Sequence, residues 1–207
     1  MMNWFGKKFQ GAGARLSRAE RHRSPSNSLS GLDRDLAIGF LTQAKTLLPF
    51  TEKDAVIVTR YLTSRQFQPA EIVFADKDAD TGSMLWILHG EITIETTAFE
   101  PGSLITMTVL EAGRTLGEMS FMDGSERSAD CTACSDVRCA QLTRPALRAL
   151  SEAHPQVAAK LATLIAMNLA TRLRELTEKF KRHVGISNLI RAEQYLEAMP
   201  RVASDAA

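Results

Sequence analysis

Residues 117–130, GEMSFMDGSERSAD, carry the pattern that decides the fold. Gly117-Glu118 opens the stretch and Arg127-Ser128-Ala129 closes it, with the turn signal Met122-Asp123-Gly124-Ser125 between them. A carboxylate and a guanidinium thus sit nine positions apart across a glycine-punctuated loop. Two readings are open. The pair holds opposite ends of one small molecule, or it is an acid and a base that merely pair with each other.

The chemistry favours a ligand. Gly117 ends an approaching strand, and Glu118, Met119, Ser120 and Phe121 can form one helical turn. The start of such a turn presents free backbone N–H groups and a partial positive charge, which suits a phosphate. Arg127 adds bidentate, charge-assisted hydrogen bonds. Ser128 and the N–H of Ala129 lie beside it, and Glu118 can accept from a ribose hydroxyl. That set fits a nucleotide with a cyclic, singly charged phosphate. It fits ATP poorly, because the sequence has no GKS or GKT and no carboxylate cluster for magnesium.

Outward from this loop, the pattern is strands before and after, then helix. Period-two alternation starts at Phe67. Ile72-Val73-Phe74, Met84 to Leu88, Ile92 to Thr96, the alternating Ile105, Met107 and Val109, and 128–143 all read as extended chain. Short strands with glycine turns indicate a small sandwich or barrel. Before them, Leu36, Phe40, Leu41, Ala44, Leu47 and Leu48 keep helical spacing that Pro49 should stop. Thr51 then reads as the N-cap of a second helix, with Glu52 and Asp54 in its first turn and Val56, Ile57 and Tyr61 on its apolar side. After Thr143-Arg144-Pro145 the helical period returns. A long helix is expected from Pro155 to a stop at Gly185, with a further short helix over 186–199. Its stripe of Leu161, Leu164, Ile165, Leu169, Leu173, Leu176 and Phe180 is too long for one small barrel to cover, so a second copy of the chain is expected against it.

The chain of 207 residues, 44% hydrophobic and 24% charged, is an ordinary globular composition. The net charge of +1 predicts no bulk attraction to nucleic acid or membrane. Residues 1–31 carry +5, leaving −4 for the rest, and read as a disordered basic tail. Its aromatic-basic start, Trp4, Phe5, Lys7, Lys8 and Phe9, is suited to at most weak contact with an anionic membrane surface. No apolar run reaches membrane-spanning length and no secretory signal is visible, so a cytoplasmic location with reduced thiols is expected. The spacing of Cys131, Cys134 and Cys139 lacks the second cluster that a zinc site needs, so small core thiols and no metal are expected. His89 has Ile87 and Glu91 as its neighbours two positions away, so a cupin-type His-x-His metal enzyme is disfavoured. The histidines at 22, 89, 154 and 183 do not obviously converge on a haem.

Residues 47–183 resemble a cyclic nucleotide-binding domain of the catabolite-activator and protein-kinase regulatory-subunit superfamily. The matching features are Leu48-Pro49-Phe50, Trp86-Ile87-Leu88-His89-Gly90-Glu91-Ile92, Ala112-Gly113, Leu116-Gly117-Glu118 and Glu126-Arg127-Ser128-Ala129. The resemblance implies a mainly β fold: an eight-stranded β-roll, jelly-roll-like, flanked by N-terminal helices and closed by one long C-terminal helix. It implies that Glu118 binds the ribose 2′-hydroxyl and that Arg127 binds the cyclic phosphate with Ser128 and backbone amides. Leu110 and Leu116 would line the base pocket, and Thr177 would contact the purine, in some relatives across a dimer. Leu176 stands where the activators have a second hydroxyl, and Glu126 where kinase-type loops have proline; the first of these puts base identity in doubt. The expected units are a tail over 1–31, helices and β-roll over 32–145, C-terminal helices over 146–185, and a short helix and tail over 186–207.

The expected function follows. This is a non-enzymatic sensor that binds cAMP or cGMP, with a cyclic dinucleotide not excluded, and relays the event through its C-terminal helix to a protein partner. It would be a homodimer. Only 22 residues follow Gly185, too few for a helix-turn-helix, so no sequence-specific DNA binding is expected. The alternative is a ligand-free β-roll that serves as an interaction or dimerisation module.

Overall fold

A computed structural model describes residues 28–97 and 104–198. Strands β1 (Leu62–Phe67), β2 (Ile72–Phe74), β3 (Ser83–His89), β4 (Ile92–Thr97), β5 (Leu104–Leu110), β6 (Thr115–Leu116), β7 (Asp130–Ala133) and β8 (Val137–Thr143) form two four-stranded sheets. Their orders are β1-β8-β3-β6 and β2-β7-β4-β5, with every pairing antiparallel. Helices α1 (Gly31–Gln43), α2 (Glu52–Thr59), α4 (Arg144–Ala153) and α5 (Pro155–Ala198) flank the first sheet, while the short α3 (Glu118–Asp123) lies in the loop after β6.

Strand β3 shows why the roll has two apolar layers. Six of its seven residues are buried. Met84, Trp86 and Leu88 point into a cluster with Ala37, Leu41, Val58, Leu150, Leu161 and Ile165 of the helices. Leu85 and Ile87 point the other way, into the roll interior with Phe67, Ile92, Leu116 and Val137. The two-residue period of a strand places alternate side chains on opposite faces, so one apolar strand serves both layers. Trp86 satisfies its indole N–H on the Gly113 carbonyl at 3.0 Å.

The helix ends differ from the sequence reading in three places. Order begins before residue 32: Leu29 is buried, and Ser30 caps α1 by accepting from the Asp33 N–H at 3.1 Å. The rest of the expected 1–31 tail, residues 1–27, lies outside the described residues. Helix α1 stops at Gln43 rather than at Pro49, because Ala44 turns to an extended conformation. Helix α5 does not stop at Gly185 but runs 44 residues to Ala198. A single interior glycine costs only about 1 kcal/mol relative to alanine, too little to end a long helix. The helix is therefore about 66 Å long. Strand β1 precedes the expected start of alternation at Phe67. Its middle residues Thr63, Ser64, Arg65 and Gln66 carry no apolar alternation, and pairing with β8 from Leu62↔Leu142 to Phe67↔Val137 makes the strand.

Helix α2 begins as expected. Thr51 and Asp54 form a reciprocal capping box. Its fully buried residues are Ala55, Val58 and Thr59, and of the expected apolar side Ile57 and Tyr61 pack half-buried against the same core. Lys160 of α5 reaches Asp54 at 2.7 Å. That ammonium, then the Thr51 hydroxyl, hold the Asp54 carboxyl down to about 2. The folded value lies below the unfolded one, so the linkage stabilises the fold above about pH 4 and fades as pH falls toward 2. Lys160→Met is expected to flatten this acid-side dependence, read as urea midpoints across that window, while Thr51→Ala costs about 1 kcal/mol at neutral pH. An unchanged acid profile in Lys160→Met would show that the pair contributes nothing.

Candidate functional site

The loop that opened the sequence is built from two left-handed glycines around one short helix. Gly117, at φ 77°, caps α3, and Gly124, at φ 83°, ends it. The Phe121 N–H closes the first turn on the Gly117 carbonyl at 3.0 Å, so the N–H groups at the start of the helix have no partner within it. Glycine at 117 is required twice over. A Cβ there would lie 2.5 Å from Nη1 of Arg127 and 2.7 Å from the ring of Phe74.

Arg127 is 3% exposed. Its Nε donates to the Asp80 carbonyl at 3.0 Å, Nη1 to Gly117 at 2.9 Å and Nη2 to Ser83 at 2.8 Å. The guanidinium lies 3.8 Å over the Phe74 ring. Burial pulls its proton affinity below the ordinary arginine value, with Asp80 opposing. A guanidinium carries five N–H donors, so two remain beyond these three bonds.

Glu118 is 1% exposed. Its Oε1 accepts from Thr115 Oγ1 at 3.1 Å and pairs with Nη1 of Arg172 at 2.7 Å. Arg172 also donates to the Thr115 carbonyl. The other oxygen, Oε2, is buried with no hydrogen-bond partner. Glu118 and Arg127 therefore do not neutralise each other, which removes the surface-pair reading. Each is held by different groups on the wall of one cavity.

That cavity has a volume of about 350 Å³. It brings together nine of the ten expected site residues: Leu110, Leu116, Gly117, Glu118, Met119, Ser120, Arg127, Ser128 and Ala129. Ser120 turns its hydroxyl to the Glu126 carbonyl at 3.1 Å, so its side chain buttresses the loop. The tenth, Thr177, is not part of the cavity lining within one chain. Its exposed hydroxyl donates to the Leu173 carbonyl of its own helix at 2.8 Å. Leu176 and Lys179 of α5 line the cavity instead. The sequence reading missed Phe74, Arg114, Arg172 and Glu175, which also line it. Arg114 and Glu175 pair at 3.2 Å, a second tie between the roll and α5. The available signal for Arg172 was its place four residues before Leu176, on the same helical face.

Cys131 and Cys139 are buried, and Cys134 is exposed. Burial pushes both buried thiols up to about 12, so they remain protonated. Among the described residues no group of three or more His, Cys, Asp and Glu side chains gathers at a point.

Residues 64–154 match the family model of the cyclic nucleotide-binding domain, and this window contains the loop, Glu118 and Arg127. This segment belongs to the cyclic nucleotide-binding domain superfamily. Solved structures agree in fold. A cyclic nucleotide-binding domain from Methylobacillus flagellatus superposes with a TM-score of 0.69 at 24% identity, covering 75% of this chain and 87% of that one. The catabolite activator protein of Thermus thermophilus superposes at 0.55 with 26% identity, covering 70% and 63%. A Rhodopseudomonas palustris protein described as a candidate potassium channel is 29% identical over 134 residues, which is 64% of this chain. The chain spans only 32% of that relative's length. No helix of the described residues is long and apolar enough to cross a membrane.

Proposed function

We propose that this chain is a non-enzymatic sensor that binds cAMP, or cGMP, in the cavity between the roll and α5 and passes the event to a protein partner. The observation that carries the reading is Oε2 of Glu118, a buried carboxylate oxygen without a partner, on the wall that also holds Arg127. An unsatisfied buried acceptor costs about 1–3 kcal/mol. A ribose 2′-hydroxyl supplies the missing donor. The two remaining donors of Arg127, the start of α3 and Ser128-Ala129 supply the phosphate end, while Leu110 and Leu116 give the base an apolar wall. The volume lies in the range of small-ligand sites and suits a mononucleotide better than a cyclic dinucleotide, which is two such units. Arg172 grips the same carboxylate from α5, so ligand contact and helix position share one group. A switch requires such a difference in affinity between two helix positions.

A second reading has one observation in its favour. Arg127 is already engaged by three carbonyls and Glu118 by Arg172. A roll held internally in this way can serve as a ligand-free interaction module. In protein purified free of nucleotide, cAMP at about 100 times its dissociation constant is expected to add about 2.7 kcal/mol of stability. Arg127→Leu is expected to weaken binding at least about tenfold, its cost to the fold being read from the melt without ligand. No stabilisation by millimolar cAMP or cGMP would overturn the sensor reading and leave the interaction module.

The chain is also proposed to work as a homodimer, in the cytoplasm. Helix α5 buries Val157, Ala158, Leu161, Leu164 and Ile165, but Leu173 is 67% exposed and Phe180 69%. Leu176 joins them on a stripe that continues the buried one. A second copy, packed through the same stripe, would cover it and bring Thr177 near the partner's cavity. Sedimentation is expected to show a wild-type dimer, with Leu173→Glu monomeric and weaker in nucleotide binding, because an unpaired charge in an apolar seam is strongly unfavourable. A wild-type monomer at micromolar concentration would contradict the seam.

A further inference from the structure

A second cavity, of about 340 Å³, opens at the end of the roll where the edge strands β1 and β2 meet. Phe74 lines both cavities and, among the described residues, is the only one common to their walls. The walls here are Phe67, Ile72, Val73, Phe74 and Leu85, with polar groups at Arg65, Gln141 and Thr143 and the carboxylates Asp78 and Asp80 on the β2–β3 loop. Nothing in the nucleotide reading uses this space.

Arg65 is the feature that calls for an occupant. It stands opposite Cys139 in the β1–β8 register, on the face of the sheet that looks into the roll. It is half-buried, and its guanidinium lies 5.4 Å over the Phe67 ring. Among the described residues its guanidinium makes no hydrogen bond or ion pair. Burial pulls its proton affinity below the ordinary value, with Glu71, Cys139 and Asp80 opposing. No hydrogen bond or ion pair joins those groups to its fork, so a half-buried guanidinium here gains from an acceptor placed directly against it. Its planar fork matches a carboxylate in two parallel hydrogen bonds.

We propose that this second cavity is a binding site for a small, singly charged carboxylate with an apolar body, held by Arg65. The aliphatic and aromatic walls take the body. Gln141 and Thr143 add polar groups to the wall. Asp78 and Asp80 lie on the same rim; their charge opposes every anion, and opposes phosphates, dianions and a second nucleotide more than a single carboxylate. The site does not rest on the nucleotide reading, although Phe74 lines both cavities and Arg127 of the first bonds to the Asp80 and Ser83 carbonyls of this wall.

The test uses the full chain with methyl-labelled Ile, Leu and Val, titrated by NMR with benzoate and isovalerate. Benzylamine and inorganic phosphate serve as probes of the opposite charge and of a multiply charged anion. Saturable shifts are expected at Ile72, Val73 and Leu85 with both carboxylates, and not at Leu110 or Leu116. Arg65→Met, which keeps the stem over Phe67, should weaken binding at least about tenfold, and Arg65→Lys should restore part of it. Ile72→Trp, at a 43% exposed edge position, should fill the space and block binding without removing a core contact. The proposal is overturned by no carboxylate binding up to about 10 mM, by binding that survives both Arg65→Met and Ile72→Trp, by shifts centred on Leu110 and Leu116, or by tighter binding of phosphate or benzylamine than of benzoate.

Discussion

Burying an ionised carboxylate costs several kcal/mol unless opposite charge and donors meet it. Glu118 is buried almost completely, and the groups that meet it come from two elements far apart in sequence. Thr115 supplies a hydroxyl from β6, and Arg172 supplies a guanidinium from α5. The same Arg172 reaches back to the Thr115 backbone, and Arg114 pairs with Glu175 nearby. The long helix is thus tied to the binding loop by the carboxylate that a ligand would use. Removing Arg172 would strand a buried charge, and moving α5 would do the same. In the proposed reading, ligand and helix would act on one group, the condition that a two-position response requires.

Arg127 organises the other side of the cavity. Three carbonyls, from Asp80, Gly117 and Ser83, fix its guanidinium in a plane over Phe74. This arrangement explains the glycine at 117 better than turn geometry alone, because a methyl group there would strike both the guanidinium and the ring. The loop is rigid for a reason independent of any ligand. A site held in its working geometry beforehand loses less on binding. The same wiring carries contacts from the β2–β3 loop, which borders the second cavity, to the loop between Gly117 and Arg127.

The parts of this structure legible in the sequence are those whose meaning is local. Gly117-Glu118 and Arg127-Ser128-Ala129 fall within one short loop, so their residue types and spacing already described a cradle. The Thr51 cap and the start of α5 at Pro155 are equally local. Strand β1 was not legible, since Thr63 to Gln66 owe their extended form to pairing with β8. Nor was the role of Arg172, which depends on where a distant helix crosses the roll. Thr177 was assigned by resemblance, yet a one-residue difference in facing puts Leu176 on the cavity in its place. Gly185 follows Lys179, Lys181, Arg182 and His183, a basic run of the kind found at helix ends, but one interior glycine costs too little to end a long helix. The expected boundary at Gly185 falls inside one continuous helix, α5, and residues 199–207 of the last expected unit lie outside the described residues.

The most direct test of the central claim, that the partnerless oxygen of Glu118 receives a ribose hydroxyl, is a calorimetric cycle. It crosses Glu118→Gln with removal of the 2′-hydroxyl from cAMP, measuring all four affinities under one condition. The account predicts strong coupling: the hydroxyl contributes in the wild type and little in Glu118→Gln, with an interaction energy of about 1 kcal/mol or more. Costs that add to within about 0.5 kcal/mol would contradict it, because the carboxylate and the hydroxyl would then not be in contact.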